Sequence, residues 1–475
     1  MQTTVKPLFT VALIGALLVA CSDQAPEVAT IPDLENISPT SIAIENVTVI
    51  DAVGGIRENQ TVIFDGDVIT SVQPASEPVN AAGSYDGTGR YLIPGLWDFH
   101  VHLTYDERFT PVMPDLFLSW GITSVRDTGG LIDEVLPVVE AMREEDTQAP
   151  RVFFAGPLLD GEYVVYDGVD RPEIGTQVAT IEDAERIVRE LVDQGVNFIK
   201  VYEMLSPEVF STLVAIAGKL DLPIDSHVPL SMRARDAGPM VSSIEHLRNI
   251  EMDCAANAAE LHATRLELLE NPEAIPGGDL RSALHNLQRL PAVASYDEAE
   301  CDVVIAAMAN TTMVPTLRLN SFGLAPSYER DDWGAALAGT PESVQSDWGP
   351  LGESRIGEPA GDTTFAEWSL FLTGRMHEAG VPFAAGTDTP INLSIPGYSL
   401  HEELEMLVRA GLTELEALEA ATLEPARWFG LQDVLGSIDE GKRADMVLLD
   451  ANPLEEITNT KRIIMVISKG EIVNR

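Results

Sequence analysis

Cysteine is almost missing from this chain, with three residues in 475. A scaffold held by a disulfide framework is thereby excluded. Basic residues are sparse as well: 30 Lys and Arg stand against 75 Asp and Glu, and the formal net charge of −45 has the wrong sign for nucleic acid. The simplest reading of that charge is a solvated acidic surface suited to a salty medium. An acidic funnel for cationic substrates would need the acids gathered at a pocket mouth. No apolar run is long enough to span a bilayer, residues 8–20 being too short. Histidine numbers only eight, so the places where it falls carry information. What is present, 45% hydrophobic residues with 36 Gly and 30 Pro, suffices for one large domain plus a smaller one.

Residues 1–20 read as a signal segment, with Lys6 as its positive start and an apolar run after it. The run ends Leu18-Val19-Ala20-Cys21, which resembles a bacterial lipobox. That resemblance implies lipidation of Cys21, which then becomes the mature N-terminus; a plain signal peptide or an anchor helix is the alternative. Ser22 is not a retention-type Asp, so the expected place is the outer membrane, facing the periplasm and held by the lipid anchor alone. Residues 21–39 read as a flexible tether. Cys254 and Cys301 flank a helical stretch and could pair in that compartment, but spacing alone does not decide it.

Residues 40–92 and 437–475 are strand-like at both ends of the chain and predict a composite β-sandwich. Asp65-Gly66 marks a hairpin turn. Between them, residues 93–436 hold eight apolar strand candidates alternating with helical stretches: 92–100, 121–127, 151–158, 198–202, 223–228, 243–247, 312–317 and 381–388. The expectation is an α/β chain, a (β/α)8 TIM barrel with a small β-sandwich domain built from both termini. Residues 248–310 form a helical insertion expected to cap the mouth. Residues 320–362, rich in Gly, Pro and Trp, are expected to form a flexible lid. Thr413-Glu414-Leu415-Glu416 is a capping box.

Five short pieces at the ends of these candidate strands carry the chemistry: Phe99-His100-Val101-His102, Phe198-Ile199-Lys200, Ser226-His227, Glu245-His246 and Gly386-Thr387-Asp388. The C-terminal ends of barrel strands are where such a fold builds its active site. His100 and His102 are two apart, so on a strand both face one side. Lys200 sits in a run too apolar to hold a free ammonium cheaply. It could add carbon dioxide to become a bridging carbamate, or pair with a nearby carboxylate. Asp388 is placed both to bind metal and to take a proton from water.

Together with Pro94-Gly95-Leu96-Trp97-Asp98, Ala420-Ala421-Thr422-Leu423-Glu424-Pro425-Ala426 and Gly441-Lys442-Arg443-Ala444-Asp445-Met446-Val447, these pieces resemble the amidohydrolase superfamily, in its imidazolonepropionase-like and prolidase-like branch. The resemblance implies two divalent metal ions, with zinc the expected metal. His100, His102 and Asp388 would hold one ion, His227 and His246 the other, and carboxylated Lys200 would bridge them. It also implies hydrolysis of amide, peptide or cyclic-amide C–N bonds by hydroxide, with Asp388 as proton shuttle, and self-association of the chain as a homo-oligomer. The expected substrate is a small molecule such as a small peptide or an N-acyl amino acid. The Gly-Gly-His element of peptidase-like members has no histidine here, the stretch reading Gly156-Pro157-Leu158. Tyr202 and Arg318 are candidate contacts for a substrate carboxylate. Arg126 is expected to pair with Asp127, His401 to be structural, and His262, His285 and His377 to lie on the surface. A lactone, ester or organophosphate hydrolase would use the same site, and a non-catalytic binding lipoprotein is the remaining reading.

Overall fold

The computed structural model describes residues 41–145, 147–271, 273–358 and 361–473. The signal segment, Cys21 and the tether lie outside the described residues.

Both chain ends feed one eight-stranded sheet. Its pivot is Tyr91–Pro94, which pairs in parallel with Ile42–Asp51 and antiparallel with Met446–Leu449, Leu92 facing Leu448. Gly55–Asp65 and Val68–Pro74 extend it on one side through the expected hairpin, Asp65 opposite Val68. Ile463–Ser468 and Glu471–Ile472 extend it on the other. Alternation sends Ile44, Val49, Leu92, Met446, Leu448 and Met465 into a core of their own. Among the described residues the hydrogen bonding joins these strands into one connected sheet.

The expected strand 92–100 is two strands divided at Gly95, whose N–H donates to the Asp445 carbonyl at 2.8 Å. A Cβ at Gly95 would lie 2.1 Å from Thr123 Oγ1, so only glycine lets the chain turn here from the terminal sheet into the α/β part. Leu96–Val101, Ile122–Asp127 and Arg151–Phe154 then pair in parallel. Ile199–Val201, Ile224–Ser226, Ser243–Glu245 and Thr312–Val314 form a second parallel set. These short strands are buried along their whole length, which is why they read as apolar runs without alternation. Backbone contacts link the two sets. Asn197 N–H reaches the Phe154 carbonyl at 2.9 Å. Residues 381–389 lie between the other two ends through the parallel bridges Phe383–Met313 and Thr389–Val101. The eighth candidate strand makes bridges rather than a ladder because Asp388 turns into the left-handed region, φ 59°.

Residues 248–310 are helical as expected, with Ala258–Leu269, Gly277–Ala294 and Glu298–Ala307. Residues 320–362 differ from the expected lid: they fold into Trp333–Ala338 and Glu342–Arg355, with Trp333, Val344 and Trp348 buried and the Trp348 ring 5.3 Å from Phe109. Pro341 reads as a breaker in sequence but stands at the N-cap of the second helix, where its missing N–H has no partner to lose.

Cys254 and Cys301 are joined, closing a loop of sequence separation 47 around the insertion. Crosslinking a loop of that length stabilises by about 4 kcal/mol in the chain-entropy account. The chain from Ser22 onward should show no free thiol until reduced. Reduction, or the Cys254→Ala/Cys301→Ala pair, should lower the urea midpoint correspondingly, and an unchanged midpoint would contradict a stabilising crosslink.

Candidate metal centre and pocket

The C-terminal ends of the parallel strands converge on a cavity of about 500 Å³, its open mouth included. His100, His102, Lys200, His227, His246 and Asp388 all line it. Asp98, two before His100 on the same strand, accepts from Thr387 Oγ1 at 2.6 Å and Thr387 N–H at 3.0 Å. Asp388 N–H in turn donates to the His100 carbonyl at 2.8 Å. Those bonds fasten the Asp388 turn onto the strand that carries the histidine pair. Gly386 permits the approach, since a Cβ there would sit 2.7 Å from the His100 Cβ. His246 and Asp388 both have positive φ, 60° and 59°. Such backbone strain in non-glycine residues collects at functional sites.

Each histidine uses Nδ1 on the protein. The partners are Glu245 Oε2 for His100 at 2.5 Å, the Gly129 carbonyl for His102 at 2.9 Å, Glu203 Oε1 for His227 at 2.8 Å and Thr316 Oγ1 for His246 at 2.6 Å. Carboxylates and carbonyls only accept. The Thr316 hydroxyl donates its own hydrogen to the Pro315 carbonyl at 2.8 Å, so toward His246 it accepts too. All four Nδ1 atoms therefore carry a hydrogen, and Nε2 is the nitrogen each ring can offer to a ligand once it holds no second proton. Nε2 of His100 and of His102 each lie 3.2 Å from Asp388 Oδ1, and Nε2 of His246 lies 3.9 Å from Oδ2. Without metal the proton on His100 answers the Asp388 carboxylate; once that proton is lost, a cation must take its place among these acceptors. Ligand atoms of His100, His246 and Asp388 lie within 4.8 Å of one another, a spacing that suits one divalent ion.

Charge supports the same reading. Burial works against ionisation of Asp388, yet the His100 ring, helped by hydrogen bonds from His100 and His102, holds its carboxyl well below the usual carboxylate range. Burial holds His227 down at about 3, and burial with Arg248 keeps His246 well below its ordinary value; both rings are neutral at pH 7. His100 differs. Burial opposes its charge, but Glu245 and Asp388 raise it to about 9.

The acids behind the histidines are themselves held. Arg126, fully buried, places Nη2 2.5 Å from Glu245 Oε1 and donates to the Phe99 carbonyl and Ser243 Oγ. Its guanidinium lies 3.7 Å from the Phe99 ring centre and 4.9 Å from that of Trp428. The expected Arg126–Asp127 pair does not form, because neighbours on a strand face opposite sides. Glu203 receives Arg281 Nη2 at 2.8 Å and has His285 Nε2 2.9 Å away. Both partners come from one turn of Gly277–Ala294, so the insertion helix reaches the His227 support directly. His285 is thus buried rather than on the surface.

Lys200 Nζ donates to Asp225 Oδ2 at 2.8 Å, the paired form weighed in the sequence. Tyr202 lines the cavity with its ring 4.3 Å from His227, and burial keeps it a neutral phenol. Arg318 does not line the cavity. Its guanidinium donates to the Ile391 and Asn392 carbonyls, shaping the chain after Asp388. His401 is buried against Thr460 Oγ1 and the Trp120 carbonyl. Sequence reading missed Glu203, Glu245, Thr316 and Arg248. Glu245 had a signal, an acid beside the candidate ligand His246 at the end of a buried strand; Glu203, Thr316 and Arg248 had none.

The chain spans less than half the length of the curated relatives it matches here. It is 44% identical to the ochratoxinase of Aspergillus niger over 82 residues, 17% of this chain and 16% of that one. It is 29% identical to the imidazolonepropionase of Shouchella clausii over 213 residues, 39% and 46%. A solved Xaa-Pro dipeptidase with methionine bound in its active site superposes with TM-score 0.65 at 20% identity, over 92% of this chain and 100% of that one, a likeness of fold. The α/β fold is thus shared with that enzyme, and residues 372–473, the stretch that carries Asp388, match the amidohydrolase family.

Proposed function

We propose that this protein is a divalent-metal-dependent amidohydrolase that cleaves a C–N bond in a small peptide, N-acyl amino acid or cyclic amide. The observation that carries the reading is the common use of Nδ1 on the protein by the four histidines, which turns Nε2 of His100, His102 and His246 toward Asp388. The family match and the hydrolase names of the relatives support it. In this reading the two parallel sets close as a (β/α)8 barrel beside a β-sandwich of the chain termini. The mature chain is a homo-oligomer anchored by lipid at Cys21 to the outer membrane, facing the periplasm.

His100, His102 and Asp388 would hold one ion, His227 and His246 a second. Lys200, its ammonium taking up carbon dioxide to form a carbamate on Nζ with release of two protons, would bridge them. Nitrogen and oxygen donors of this kind suit zinc. A divalent ion bound there supplies Lewis acidity to the scissile carbonyl and lowers the pKa of water. Asp388, ionised at neutral pH, accepts the proton of the attacking water and returns it to the leaving amine. Glu245, Gly129, Glu203 and Thr316 keep the imidazoles in the one tautomer that can serve. Tyr202, a neutral phenol on the wall, can donate to the substrate.

Asp388→Asn should retain most of the metal and lose turnover by about 100-fold or more. Elemental analysis beside amide, ester and lactone panels checks this, and normal hydrolysis by the variant would remove the shuttle. Lys200→Ala should lose metal and regain it with added acetate or propionate; full occupancy without rescue would end the bridging role. His100, raised to about 9, is protonated in the metal-free protein at neutral pH, and its Nε2 must lose that proton to bind an ion. Affinity should therefore climb by up to about tenfold per pH unit toward pH 9 and then level. Calorimetric titration with zinc in two buffers of different ionisation enthalpy should show proton release at pH 7. A flat affinity without proton release would contradict the ligand role of His100.

A further inference from the structure

Three basic side chains line the cavity, Lys200, Arg248 and Arg281, against a single acid, Asp388. In a chain with 75 acids and 30 bases that is a local reversal of sign. Two of the three cations are engaged by the protein: Lys200 with Asp225 and Arg281 with Glu203. Arg248 is different. Among the described residues no hydrogen bond or ion pair to it is recorded, and its Nε is buried without a partner. It sits two residues after His246 and lines the cavity together with His227, His246 and Tyr202. A half-buried guanidinium without an acid is costly, and the cost is recovered when an anion enters.

We infer that Arg248 is the specificity residue of this pocket and binds a free carboxylate of the substrate, so that the substrate is an N-acyl amino acid or dipeptide with an ionised α-carboxylate next to the amide that is cleaved. The inference rests on the amide-hydrolase reading for the cleaved bond but not for the binding of the anion. The planar fork of arginine meets a carboxylate with two parallel hydrogen bonds, which a primary amide cannot match in charge. Arg318, the arginine the sequence favoured for this task, has its guanidinium committed to two backbone carbonyls. Tyr202 and Tyr166, both in the cavity wall, are placed to share the same anion.

The test uses the zinc-loaded chain from Ser22 onward and matched pairs, N-acetyl amino acids with glycine, leucine, phenylalanine, lysine and glutamate side chains beside their α-carboxamides. Equilibrium binding is measured by titration, and KM and kcat where hydrolysis occurs. At least one carboxylate should be preferred over its carboxamide by about 10- to 100-fold in Kd or KM. Arg248→Met and Arg248→Gln should bring that ratio close to one, Arg248→Lys should keep part of it, and metal content should match the parent in all three. Binding with this pattern but without hydrolysis would sustain the anion site and count against amide cleavage. Hydrolysis with no preference for any carboxylate would overturn the site and leave amide cleavage standing. A preference that survives Arg248→Met, or a loss confined to kcat on both members of each pair, would also overturn it.

Discussion

The site depends on where four imidazoles put one hydrogen each. A histidine ring can be a metal ligand through only one nitrogen at a time here, and the nitrogen left over is decided by what the other one meets. Glu245, the Gly129 carbonyl, Glu203 and Thr316 make that decision in common. Their effect is collective: three Nε2 atoms close on a carboxylate, an arrangement held by the proton of His100 without metal and suited to a divalent ion once that proton leaves. Packing alone would not produce this, since a buried histidine is equally satisfied by either tautomer. The placement of the supports reaches across the fold, from the 129 turn to the strand end at Glu245 and the left-handed turn at Thr316.

The supports have supports. Glu245 is buried, and a lone buried carboxylate would tend to protonate and lose its hold on His100. His100, Lys200 and Arg126 together prevent that, Arg126 with its guanidinium 2.5 Å away and itself stabilised by the faces of Phe99, Phe198 and Trp428. Glu203 is held in a similar way, but by Arg281 and His285 of the insertion helix Gly277–Ala294. Of the proposed ligands, His100 is therefore braced from within the parallel strands and His227 from a segment added between them. The Cys254–Cys301 crosslink restrains that added segment at its base. An insertion that looks in sequence like a cap over the mouth is also part of the frame of the site.

The residues legible in the sequence were those whose chemistry is unusual for their surroundings. Four histidines, a lysine and an aspartate stand at the ends of apolar runs, and the cavity receives all six. The parallel strands were legible for the same reason, since both faces are buried and the runs stand out. Arg126 was assigned to Asp127 because the two are neighbours, whereas the strand turns them apart. Arg318 looked free because nothing nearby in sequence opposes it; its partners are carbonyls 73 and 74 positions away. Residues 320–362 looked irregular because Gly and Pro were counted without their positions in the helix. Backbone carbonyls, hydroxyl acceptors and positive φ leave almost no mark on composition, so the orientation of the ligands was not readable even where their identity was.

Charge balance ties these parts together. Around the pocket the buried carboxylates Asp225, Glu245, Glu203 and Asp388 each face cations: Lys200, Arg126, Arg281 and the raised proton of His100. Filling the centre as proposed would take away two of those positive charges, the His100 proton and the Lys200 ammonium, and turn the second into an anion. In that reading the inventory of buried charge changes on filling: a proton and an ammonium answer the carboxylates without metal, and the charge of the divalent ions would answer both them and the new carbamate. Arg248 stands outside that inventory. Among the described residues it is the one cation in the pocket wall with no acid to answer it, and in the proposed reading that asymmetry makes a charged substrate part of the site's own electrostatics.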